Sequence, residues 1–72
     1  MDHSEYKEAK QRLKSFSESL KHETDDKPMI RMYINDYVDD LSKSMFKKFT
    51  FERVEMYRNW LSSYACKLHP KN

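Results

Sequence analysis

Three histidines, one cysteine and a cluster of aspartates are the side chains of this 72-residue sequence whose types could support catalysis or metal binding. His3, His22 and His69 lie far apart in the chain. None has the i,i+3 or i,i+4 spacing that sets two imidazoles on one helix face. Cys66 adds a single soft ligand where a closed zinc site needs four converging groups, so no metal is expected. Cys66 follows Tyr64-Ala65 on what reads as the apolar side of its helix. It is expected to be buried as a small hydrophobe, because a reactive thiolate needs an electropositive, partly open setting. Asp36, Asp39 and Asp40 stand at i,i+3 and i,i+4. Paired carboxylates act as acid and base only in a dry concave pocket, and a chain this short has little room for one. They read instead as a solvated face or an acidic docking patch. No nucleophile, base and orienting group occur in a recognisable arrangement, so neither an enzyme nor a cofactor is expected. The mode of action that is left is binding.

Composition points the same way. Glycine is absent, which removes the phosphate-cradling loops of P-loop and dinucleotide sites and disfavours tight hairpins. The length allows one domain, over 1–72, that buries only about 60% of its unfolded surface. A single cysteine cannot form an intrachain disulfide, which suggests a reducing compartment, the cytoplasm. No apolar run is long enough to span a membrane, and no signal-peptide core follows Met1. The net charge of +2 is unevenly spread: residues 1–22 carry +1, residues 23–40 carry −4 and residues 41–72 carry +5. Opposite charges on solvated faces of neighbouring helices explain this, and such a split can also steer a partner or a second copy.

Three segments have the periodicity of helices. Asp2 and Glu5 have the spacing of a capping box, and Tyr6, Ala9, Leu13, Phe16 and Leu20 then recur at steps of three and four. Glu23 to Lys27 reads as a polar linker, and Pro28 suits the first turn of a second helix lined by Ile30, Ile34, Tyr37, Leu41 and Met45. Thr50 can cap a third, with Val54, Tyr57, Leu61, Tyr64 or Ala65 and Leu68 on one face. The expected fold is therefore all-α, a small three-helix bundle with helices over about 3–22, 28–47 and 50–68. The alternative takes 28–34 as a strand, because Ile30, Met32 and Ile34 alternate with Met29, Arg31 and Tyr33.

Ten aromatic residues together with Met29, Met32, Met45 and Met56 are more than so small a core needs. Surplus Tyr, Trp, Met and Arg is the composition of protein interfaces. The candidate partner-binding residues are Met29, Met32, Tyr33, Asp36, Asp39, Asp40, Phe49, Phe51, Arg53, Met56, Arg58 and Trp60. The apolar ones would serve as anchors, the aspartates as steering charges, and Arg53 and Arg58 as bidentate ion-pair donors. The partner expected is another protein, and a homodimer is compatible with the charge split. Nucleic acid ranks lower, since Glu52 and Glu55 interrupt the basic patch of Lys43, Lys47, Lys48, Arg53, Arg58 and Lys67. If 28–34 were a strand, the alternative function would be a dimeric DNA-binding regulator of ribbon-helix-helix type.

Pro28-Met29-Ile30, then Phe49 with Glu52-Arg53-Val54 and Tyr57-Arg58, resemble the theta subunit of bacterial DNA polymerase III and its phage-encoded counterpart. The stretch from Pro28 to Glu52-Arg53 is about one helical turn longer here than in that family. The resemblance implies a three-helix, non-catalytic accessory protein that binds a replication or nucleic-acid-processing enzyme.

Overall fold

The computed structural model describes residues 3–69, and among them three helices and no strand. They are α1 (Ser4–Glu23), α2 (Lys27–Met45) and α3 (Phe51–Leu68). Side chains in the sequence cap two of the three at their N-termini. At α2 the Asp26 carboxylate accepts from the Met29 N–H at 3.2 Å, and Pro28 sits in the first turn where its missing N–H costs nothing. At α3 the Thr50 hydroxyl accepts from the Arg53 N–H at 3.3 Å, with Glu52 in the first turn. At α1 the N-cap is His3, which makes no side-chain capping bond. The Asp2 of the expected capping box lies outside the described residues, as does Pro70.

The helix ends show what a glycine-free chain does without a left-handed cap. No described residue has a positive φ. Thr24 turns extended, while Phe46 and His69 leave the helix at φ −109° and −132°. Each still donates its N–H to the carbonyl four residues back. Because Phe46 breaks off there, Lys47 and Lys48 belong to the turn before α3 and not to the end of α2, which stops at Met45 rather than at residue 47.

Short links, 24–26 and 46–50, force neighbouring helices to run antiparallel. Hence α1 and α3 are parallel, with His3 beside Tyr57 at one end and Ser17 beside His69 towards the other. The bundle measures 37 × 19 × 17 Å, close to the ~30 Å length of a 20-residue helix plus its turns. Its core is Ala9, Leu13 and Leu20 from α1, Ile30, Ile34, Val38 and Leu41 from α2, Phe46 from the turn, and Tyr57, Leu61 and Ala65 from α3. Val54, expected in the core, is only partly buried against it.

The strand alternative for 28–34 is overturned, because those residues lie inside α2. A strand would bury Ile30, Met32 and Ile34 together, whereas Ile30 and Ile34 are buried and Met32 is 53% exposed. That is the helical period of 3.6 prevailing over an accidental alternation. The paired-strand DNA reader that needed this segment loses its structural basis. No helix among the described residues is long and apolar enough to cross a membrane.

Candidate functional site

With Ile30, Ile34, Val38 and Leu41 turned to the core, the opposite side of α2 presents Met29, the neighbours Met32 and Tyr33 three and four residues on, and then Asp36 and Asp40. All five are exposed. The strip thus runs from two thioethers and a phenol to two carboxylates along one helix. Large apolar side chains left in water are ordinary when single, but three in contact range on one helix face form a patch.

The remaining candidates are not continuous with this strip. Asp39 and Arg58 are paired with each other, Arg58 Nη2 to Asp39 Oδ1 at 2.5 Å, and Arg58 Nη1 also donates to Glu55 Oε1 at 3.4 Å. Both side chains are about two-fifths exposed, so the pair joins α2 to α3 without being dry. The bidentate capacity expected of Arg58 is therefore directed inside the molecule. Phe51, 79% exposed, opens α3. Beside it in sequence, Arg53 lies over the Phe49 ring at 5.2 Å, and Phe49 is partly buried. Met56 is likewise packed against the core. Trp60 stands on the α1–α3 side, edge-on to His3, Tyr6 and Tyr57 at ring separations of 5.7, 5.3 and 5.6 Å. The twelve residues thus divide among an α2 face, an α2–α3 ion pair, the corner where α3 starts and an aromatic cluster, with Met56 packed against the core.

The basic side chains are also partly used internally. Lys48 reaches Glu5 at 3.6 Å and Arg58 reaches Asp39. Lys10 of α1 lies 4.7 Å over the Tyr64 ring.

Two histidines hold the described ends of the chain against the bundle, which their spacing in sequence gave no reason to expect. His3 Nδ1 and the Tyr57 hydroxyl are 2.9 Å apart, and His69 Nε2 is hydrogen-bonded to the Ser17 hydroxyl. Tyr57 is 1% exposed, and a buried phenol needs a partner for its O–H. Ser17 carries the one clue in the sequence: it follows Leu13 by four residues, which puts a hydroxyl on the apolar stripe of α1 where it too must be satisfied. Burial lowers the His69 imidazole from its ordinary value, and the Lys21 and Arg31 charges lower it further. Burial likewise raises the Tyr6 phenol, with Tyr64 adding to the effect.

Cys66 departs from expectation. It is exposed, because one residue past the buried Ala65 the helix has turned by about 100° away from the core. Among the described residues no group of His, Cys, Asp or Glu side chains is placed to hold a metal ion. No protein-family model, curated protein or solved structure matches this chain.

Proposed function

We propose that this chain is a small, non-catalytic, cytoplasmic protein-binding module that docks another protein on the outer face of α2. One observation carries the reading. Met29, Met32 and Tyr33 remain exposed on a single face while the same helix buries Ile30, Ile34, Val38 and Leu41. A helix apolar on two sides has one side for its own core and one for another surface. Methionines adapt to a partner's relief, Tyr33 supplies a rigid ring with a polar tip, and Asp36 and Asp40 one turn further along favour a groove with a basic rim. The resemblance to the polymerase theta subunit supports an accessory role of this kind, with a replication or nucleic-acid-processing enzyme as partner.

The test is affinity capture from a bacterial or phage-infected lysate with the intact folded chain, run beside a Met32→Lys/Tyr33→Ala variant of unchanged circular dichroism. Proteins retained by the first and lost by the second are the expected result. Identical retention by both baits sinks the assignment of this face.

A further inference from the structure

At the end of the bundle where α1 hands over to α2, a cleft of about 280 Å³ opens between all three helices. Lys21 from the last turn of α1, Lys27 and Arg31 from the start of α2, and His69 at the end of α3 line it. Ile30 and Leu68 form an apolar floor, and Thr24 and Asp25 complete the wall. We infer that this cleft binds a phosphate monoester carried on a small apolar body, the phosphate held by Lys21, Lys27 and Arg31 and the body laid on Ile30 and Leu68.

Three observations support this. The first is convergence: cations from two elements and an imidazole from a third meet in one concavity. Lys21, Lys27 and Arg31 make no ion pair within the described residues, whereas Arg12, Lys48 and Arg58 each reach a carboxylate. The second is the sign and size of the charge. With His69 neutral, the three cations and Asp25 leave a net charge of +2. A phosphate monoester carries about −1.5 to −2 near neutral pH and matches it, while a carboxylate would offset only half. The repulsion that Lys21 and Arg31 exert on His69 shows the same uncompensated field acting on a group already there. The third is size. The volume lies just under the ~300 Å³ lower end of small-ligand sites, enough for a phosphate and one ring and too little for a folded polymer segment. The helix N-terminus itself is not the site. Asp26 already caps it through the Met29 N–H, so the side chains must do the holding.

The test is an amide and imidazole NMR titration of the full chain at fixed ionic strength with phenyl phosphate, inorganic phosphate and benzoate. Phenyl phosphate should shift Lys21, Thr24, Arg31, Leu68 and His69 saturably and bind about tenfold more tightly than either of the others. It should also raise the His69 pKa, because a bound anion offsets the charges of Lys21 and Arg31. Lys21, Lys27, Arg31 and Asp25 are the other charged groups that face the cleft, and the ring C–H signals of His69 report on the imidazole alone. Arg31→Gln and Lys21→Gln, both at exposed positions, should each weaken binding about tenfold, so that either reports should the other unfold. Lys14→Gln on the exposed side of α1 should leave it unchanged. Shifts that never saturate, or that spread evenly over the lysines, would overturn the inference. So would benzoate or inorganic phosphate binding as tightly as phenyl phosphate, or indifference to both substitutions.

Discussion

The two ends of this bundle are built from different materials. At the end where α1 and α3 begin, rings interlock: Phe46 and Phe49 from the turn, Tyr6 from α1, His3 just before it, and Trp60 all lie within about 6 Å of the Tyr57 ring. Phe46 and Tyr57 there are wholly buried. At the opposite end the core side chains Leu20, Ile30 and Ile34 are smaller, and Ile30 together with Leu68 borders a cleft rimmed by cations. Aromatic side chains bury large areas and add favourable edge-on contacts, so the first end holds the fold together. A hollow that keeps like charges close does little for stability. It makes sense chiefly as a place for something else to fit.

This contrast can be broken or sharpened by substitution. Removing the central ring in Tyr57→Ala should cost about 3–5 kcal/mol, the range for a large aromatic deleted from a core. In a domain this small that is enough to leave much of the chain unfolded, as read by urea denaturation. Ile30→Ala at the cleft end should cost less, about 2 kcal/mol, because water already reaches its edge and no sealed cavity forms. Equal losses would erase the distinction between the ends. Tyr57→Phe keeps the ring and takes away the bond to His3. A cost of about 1 kcal/mol is expected, and a neutral result would show that His3 contributes packing alone.

A smaller effect, of opposite sign, belongs to Ser42. Its hydroxyl is buried one turn before Phe46 with no hydrogen-bond partner. Ser42→Ala should therefore stabilise the chain by roughly 0.5 kcal/mol, seen as a higher urea midpoint. The smallest change is specific to the cleft end and depends on pH. The folded chain holds the His69 pKa below its ordinary value, so the unfolded chain takes up a proton more readily. Stability is then full above about pH 6.5 and declines as pH falls from there towards the lowered folded value. Melting temperatures followed down to about pH 5, above the carboxylate range, should show this decline, and His69→Gln should flatten it. A profile unaltered by that substitution would detach His69 from the stability of this end.

Much of the architecture was legible because it is local. The steps of three and four from Ala9 to Leu20, from Ile30 to Leu41 and from Tyr57 to Ala65 fix which face of each helix is dry, and Thr50 and Pro28 mark where helices begin. Cys66 and Lys47 were misplaced by one or two residues of helical phase or length, an error that pattern reading makes at element ends. The candidate site was legible only as types. Met29, Met32 and Tyr33 can be seen to exceed what the stripe of α2 needs. That Asp39 turns aside to meet Arg58, while Asp36 and Asp40 do not, depends on where α3 packs.

By itself the sequence determined a mainly helical chain, with no glycine for tight turns, two prolines near the expected helix boundaries and three apolar stripes with a period near 3.6, and it left 28–34 open between helix and strand. Local propensity and pattern act within a few residues, and they suffice for that. Only the tertiary structure decided that His3 meets Tyr57 and His69 meets Ser17, pairs 54 and 52 residues apart. It alone gathered Lys21, Lys27, Arg31 and His69 at one end. Such meetings depend on how helices are oriented against each other, which the packing of Phe46, Tyr57, Leu13 and Leu61 sets and no single stripe encodes.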